Sequence, residues 1–431
     1  MKHIIRSFKY RNYRLFFTGQ SLSLVGSWMQ RLAIGWLAYE LKNSALILGI
    51  VAFAGQIPAL FLTPFGGVIA DRYDKHKILI FTQAFAMIQA FALAFLVLSN
   101  HITIGLLIIL NIFLGIINSL DMPTRQAYVI DMIDNKNDLG NAIALNSSMV
   151  NFAKLAGPTL AGLIVAAFGE GMCFLINAIS YLAVIVSLLL MKTTSNNTQR
   201  KDSVLLQLKE GLKYSFGFAP IKYLILLLST ISLTAIPYMV LMPIFAKDIL
   251  HGGPKTLGFL MGSAGIGALV GVVYLASRKT VLGLGRVIVI ATIIFGVSLV
   301  AFSFSRKLWL SEVLLAFAGM GMMINMAASN TILQTMVSDE MRGRVMSLYV
   351  VSFMGFMPFG SLLAGSLANK IGAPFTLAIG GSICVAAAIA FGFKLPSLRE
   401  IARPVYIEKG IIEQVEKGLQ SASQLSVPPE N

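Results

Sequence analysis

Apolar runs of about 20 residues, the length that crosses a bilayer, alternate along this chain with short polar intervals. Six begin near residues 15, 45, 78, 103, 141 and 171; after a longer polar interval, six more begin near 222, 256, 287, 309, 343 and 374. A helix satisfies its own backbone groups in hydrocarbon, so the pattern predicts twelve membrane-spanning helices with both chain ends on one side. The expected fold class is an all-α membrane protein, divided as a basic N-terminus (1–14), a six-helix bundle (15–191), a linker (192–221), a second six-helix bundle (222–394) and a polar tail (395–431). Within the linker, Val204, Leu205, Leu208, Leu212 and Phe216 recur at helical spacing among Lys209, Glu210 and Lys213, the pattern of an amphipathic helix on the membrane surface. The tail is charged and polar, with helical spacing again around Ile411 to Leu419.

Composition agrees with membrane residence: of 431 residues 56% are hydrophobic and only 12% charged, about half the charged share of a soluble domain. A net charge of +15 would suit nucleic acid, but the basic residues gather in the intervals on one side of the membrane. The opposite intervals hold only Lys42, Lys247, Lys255, Arg306, Lys307 and Lys370. Positive residues stay inside, so the predicted location is a bacterial-type cytoplasmic (inner) membrane with both termini cytoplasmic, and the first helix acts as its own insertion signal. Cys173 and Cys384 lie inside apolar runs and read as reduced packing residues.

The two halves repeat. Gly157 with Gly360, Ala161-Gly162 with Ala364-Gly365, and Phe168-Gly169 with Ile371-Gly372 stand at one constant spacing, so the bundles should be related by a pseudo-two-fold axis. A compact charged turn, Gly66 to Lys77, follows the second run: its glycines allow close approach of helix ends, and Asp71 and Arg72 place opposite charges at a helix terminus. Its counterpart in the second half keeps Arg278 and Lys279 but has Ser277 where Asp71 stands, so the first-half turn is the better candidate for a conformational switch.

The pattern Gly67, Asp71, Arg72, Lys77 is similar to the loop signature between the second and third helices of major facilitator superfamily transporters. Three further passages sharpen the resemblance: Phe16-Phe17-Thr18-Gly19-Gln20 leading to Trp28-Met29-Gln30-Arg31; Asp121-Met122-Pro123-Thr124-Arg125-Gln126-Ala127; and Leu155-Ala156-Gly157-Pro158-Thr159-Leu160-Ala161-Gly162. Together they resemble the drug:proton antiporter group that includes the enterobactin exporter and macrolide efflux pumps, over about residues 10–395. The resemblance implies alternating access, export, protons as coupling ion, an exporter motif at Gly157, Pro158 and Gly162, and a cavity lined by the first, fourth, seventh and tenth helices. Those helices supply Gln20, Ser27 and Arg31; Asn111 and Asn118; Tyr238; and Asn325 and Ser329.

A charged side chain in the bilayer costs at least ~2.5 kcal/mol and normally faces the bundle interior or water. Arg31 in the first helix and Lys154 in the fifth are such residues; Lys154 shares a face with Asn151 and Pro158. Arg31 either faces a cavity or snorkels outward. Asp121 and Arg125 form an i, i+4 pair near the inner end of the fourth helix, read as a titratable gate or as a structural pair. Deep acids are scarce, so the proton site is one of Asp121, Glu40, Glu312 or Asp71, or the coupling is of another kind. Positive intramembrane residues favour an anionic or polyhydroxylated ligand. The expected partners are a small-molecule substrate, protons and the lipid bilayer, with the chain acting as a monomer without cofactor, metal or nucleic acid. An importer, a lysophospholipid flippase or a non-transporting receptor on the same fold is the alternative; metal-ligand spacing, a nucleophile elbow and a phosphate loop are absent from the sequence, which argues against an enzyme.

Overall fold

The computed structural model describes residues 6–191, 213–278 and 280–410. The described residues are helical with no strand. The first bundle holds α1 (Arg11–Lys42), α2 (Ala45–Arg72), α3 (Lys75–Leu98), α4 (Ile104–Asp131), α5 (Lys136–Phe168) and α6 (Glu170–Leu189). The second holds α7 (Ala219–Ile249), α8 (Pro254–Ala276), α9 (Leu284–Ser303), α10 (Leu308–Met336), α11 (Glu340–Ile371) and α12 (Ala373–Glu408). By length and composition, 11 of these could cross a membrane. The twelfth, α1, has 32 residues but is more polar, carrying Gln20, Gln30 and Arg31 in mid-helix.

Local chemistry sets the boundaries. Asp74 caps α3 by accepting from the His76 N–H at 2.9 Å, and Thr103 and Asn135 cap α4 and α5 in the same way. Gly169 and Gly372 open α6 and α12 with φ of 79° and 86°, the same left-handed turn at the equivalent place in each half. The helix α2 runs through Arg72 to end only at Tyr73, so most of the expected turn is helix. Likewise α12 continues through Glu408, beyond residue 394 where polar character begins. The amphipathic stretch at 204–212 and the helical spacing at 411–419 lie outside the described residues.

Pseudo-two-fold symmetry is visible in the packing of small residues. A Cβ on Gly162 of α5 would lie 2.6 Å from the Pro254 carbonyl oxygen and 2.8 Å from the Gly258 Cα at the start of α8. A Cβ on Gly365 of α11 would lie 2.7 Å from the Ala45 carbonyl oxygen and 2.8 Å from the Gly49 Cα at the start of α2. Small residues let backbones touch where hydrophobic attraction between helices is weak, and here they join bundle to bundle. Five residues earlier in each helix, Gly157 meets α1 at Trp28 and Gly360 meets α7 at Leu233, again in matching positions.

These contacts lie at the end of the bundles away from the chain termini, the far end. Side chains reinforce them: the Tyr39 hydroxyl donates to Asp248, Lys247 lies 3.7 Å from Glu40 and donates to Asn43 at 3.3 Å, and Ser44 donates to Asn369 at 3.5 Å. At the terminal end the same helices have parted. Among the described residues no heavy atom beyond the helix's own backbone and chain neighbours would lie within 4 Å of a Cβ on Gly67 of α2, Gly343 of α11 or Gly140 of α5. A cleft therefore opens between the bundles toward the termini.

Of the paired glycines in α2, Gly66 makes the close approach: its Cβ would lie 2.2 Å from the Ser119 carbonyl oxygen of α4. Gly66→Val should destabilise the protein by roughly 1–3 kcal/mol through overpacking, whereas Gly67→Val should be near neutral. Thermal unfolding of the purified variants checks this, and equal effects at the two positions would refute it.

Candidate functional site

The apex of the cleft is built from one stripe on α5 and one on α1. Lys154, Pro158 and Gly162 stand on successive turns of α5; Pro158 and Gly162 meet Gly258 of α8. Arg31, Gly35 and Tyr39 stand on successive turns of α1; Gly35 approaches Pro243 of α7 and Tyr39 bonds Asp248. One turn toward the termini on each stripe Arg31 is exposed and Lys154 half-buried, while α5 and α8 still touch beside Lys154, where a Cβ on Gly265 would lie 3.0 Å from the Leu155 Cα. Both cations sit about one aromatic ring: the Arg31 guanidinium carbon lies 4.7 Å from the Trp28 ring centroid and the Lys154 Nζ 5.9 Å from it. Trp28 is fixed by close packing, since a Cβ on Gly157 would lie 2.4 Å from its own Cβ. The motif glycine thus seats the tryptophan on which the cations rest. Beside them Ser27 lies 3.3 Å from the Tyr181 hydroxyl of α6.

Deeper in the bundle polar side chains pair across helices, although the Gln83 Oε1 is buried without a partner. Asp121 is buried, accepts from Thr82 at 3.0 Å and from Gln83 at 2.7 Å on α3, and lies 3.6 Å from the Arg125 Nε. It ties α3 to α4. Gln30 donates to Gln89 at 3.0 Å and accepts from Asn177 at 2.8 Å, joining α1, α3 and α6 through three fully buried amides. At the terminal end, Asp138 draws in Lys9 at 2.5 Å and accepts from Tyr10 at 2.9 Å, pinning the N-terminal segment to the start of α5.

Other residues expected to line the cavity take different places. Asn111 donates to the Val51 carbonyl of α2 at 2.7 Å, and Asn325 donates to Thr292 of α9 at 2.5 Å. Tyr238 is buried edge-on to Phe295, and Ser329 is wholly buried with its hydroxyl unpartnered. Gln20 is buried within the first bundle. Asn118 is exposed, and Asn151, half-buried, donates to the carbonyl of Ser147 in its own helix. The structure thus gathers Ser27, Arg31 and Lys154 at the apex but sets Asn111, Tyr238, Asn325 and Ser329 in helix–helix packing. At the terminal end Asp71, Arg72 and Lys77 are exposed, and Lys75 pairs with Asp131 at 2.8 Å.

Sequence reasoning did not single out Trp28 as the support of the cations, nor Thr82, Gln83, Gln89 and Asn177. The signal available was an amide in the middle of each apolar run of α3 and α6. Among the described residues no group of three or more His, Cys, Asp or Glu side chains is placed to hold a metal.

With this geometry in view, the comparisons with known proteins are informative. A family model described as transmembrane secretion effector, of the major facilitator superfamily, matches residues 5–417. The chain is similar to the staphyloferrin A transporter of Staphylococcus aureus, 26% identical over 375 residues, covering 86% of this chain and 94% of that one. It is also similar to the multidrug efflux pump Tap of Mycolicibacterium fortuitum, 23% identical over 387 residues, covering 87% and 93%. Among solved structures it shares its fold with the nucleoside transporter NupG, with a TM-score of 0.69 at 14% identity over 89% of this chain and 98% of that one.

Replacing Asp121 by Ala would leave Arg125 unpaired and strip Thr82 and Gln83 of their acceptor. Both Asp121→Ala and Asp121→Asn lose the charge beside Arg125, but only alanine removes the oxygen that accepts from the buried Thr82 and Gln83, at a cost of about 1–3 kcal/mol, so Asp121→Ala should lower the unfolding temperature more than Asp121→Asn. Similar unfolding temperatures for the two variants would show that the oxygen accepting from Thr82 and Gln83, which asparagine keeps, is not the tie between α3 and α4.

Proposed function

This chain belongs to the transmembrane secretion effector family of the major facilitator superfamily, and from that membership we propose that it is a secondary active exporter of the cytoplasmic membrane. Its cargo is a small amphipathic molecule, siderophore-like or drug-like, carried by alternating access and driven by proton antiport. The observation that carries this reading is the cleft, shut at the far end by Gly49 with Gly365 and Gly162 with Gly258, and open toward the termini with two unpaired cations at its apex. The bias of Lys and Arg toward the terminal side supports a cytoplasmic position for both termini, and so for the mouth of the cleft. A pose open to the cytoplasm is the one that loads an exporter. Relatives named for staphyloferrin A transport and for multidrug efflux support the substrate class.

To release cargo outside, the far-end glycine contacts and the Tyr39–Asp248 and Glu40–Lys247 links must part while the terminal ends close. Closing brings the end of α2 against the start of α11. There Asp71 would meet the positive end of a helix, so Gly67, Asp71, Arg72 and Lys77 act as the switch that holds the second pose. Protonation of Asp121 would weaken its hold on Thr82, Gln83 and Arg125 and loosen α3 from α4, giving the proton a route to the gate. The working unit is a monomer in the lipid bilayer.

Two experiments test the reading. In everted vesicles, uptake of enterobactin or erythromycin should rise with an imposed pH gradient and fall when nigericin collapses it; uptake indifferent to the gradient removes proton antiport. Separately, cysteines introduced as Ser44→Cys with Asn369→Cys should cross-link the far end and halt transport until a reductant is added, since the native Cys173 and Cys384 are buried. Full transport by the cross-linked protein would exclude alternating access at this seam.

A further inference from the structure

Arg31 and Lys154 reach one aromatic ring from two helices, and neither makes an ion pair or hydrogen bond among the described residues. The first-bundle carboxylates with a described ion-pair partner are engaged elsewhere. Asp121 is held by Thr82, Gln83 and Arg125, Glu40 faces Lys247, Asp131 pairs with Lys75, and Asp138 binds Lys9. With both cations about one ring and no carboxylate paired to either among the described residues, the apex is positive. The Trp28 face offsets part of the cost of holding one cation away from bulk water, but two cations on one ring also repel each other. Full neutralisation needs two negative charges brought in from outside.

We propose that Arg31 and Lys154, set about Trp28, form the anion-holding subsite of the cleft and take an organic amphiphile bearing two carboxylates. The guanidinium offers a flat fork to one carboxylate and the ammonium a point charge to the other. An anionic lipid headgroup would supply similar oxygens, but Trp28 lies midway along α1, far from the level of the headgroups. The apolar frame of the ligand is left to the other bundle, whose lysines and arginines lie toward helix ends or, from Lys394 onward, in the polar extension of α12. The inference rests on the transporter reading and adds the chemistry of its cargo.

The test uses the full chain in phosphatidylcholine nanodiscs, titrated calorimetrically with phthalate, benzoate and neutral dimethyl phthalate. Phthalate should bind, benzoate more weakly, and the diester not at all. Loss of one charge-assisted contact should weaken phthalate binding about tenfold in Arg31→Gln and in Lys154→Gln, while Lys154→Arg retains it. Equal binding of diacid and diester, or unchanged binding in both glutamine variants, overturns the proposal. Displacement of phthalate by phosphatidylglycerol added to the nanodisc overturns it in favour of a lipid headgroup. Should the glutamine variants not fold, the comparison of diacid with diester on the unaltered protein decides. Vesicle export is read separately: export without phthalate binding removes the anion site and keeps the transporter, and binding without export does the reverse.

Discussion

Four glycines that bring backbone against backbone set the shape of this molecule. Because Gly49 with Gly365 and Gly162 with Gly258 join the bundles at the far end only, the helices that carry them can diverge toward the termini. A side chain at any of these positions would hold the helices apart, and the far end could not seal. The seal continues to the level of Lys154, where α8 still meets α5 at Leu155 and Gly265, and Arg31 stands exposed one turn from Gly35. Geometry at the small residues and charge at the apex are consecutive steps along the same two helical stripes.

Every other charge in the first bundle with a described partner is locally balanced, which makes the apex distinctive. Asp121 shows what balance looks like: two neutral donors from α3 and a cation one turn away on its own helix. The Gln30, Gln89 and Asn177 amides show the uncharged equivalent. In a bilayer neither arrangement could be left half-satisfied, because no solvent stands ready to complete it. Arg31 and Lys154 escape that requirement only by standing at an opening.

Hydropathy made the architecture legible, since crossing length and backbone satisfaction leave a chain of this kind few alternatives. The constant spacing of Gly157 with Gly360 and Gly162 with Gly365 announced the symmetry, and each glycine meets an equivalent partner. The destinations of single polar side chains were much harder to read. Periodicity tells which residues share a face of their own helix, but not whether that face looks at a neighbour or at a cleft, so Asn111 and Asn325 could be grouped with Arg31 although each bonds a neighbouring helix. Gly66 and Gly67 differ by one step of rotation about α2, enough to put one against Ser119 and the other in the open. Trp28 is one aromatic residue among many in an apolar chain, and its place beneath two cations depends on α5 crossing α1.

Both bundles share one plan, yet only the first carries cations within its spans. On the proposed reading, a molecule passing between them would follow a passage with one charged wall and one neutral wall, its polar end turned to the same side throughout. Such a passage selects by the distribution of charge over the cargo more than by its outline, so molecules of quite different skeletons could share it provided each presents one charged edge and one greasy edge.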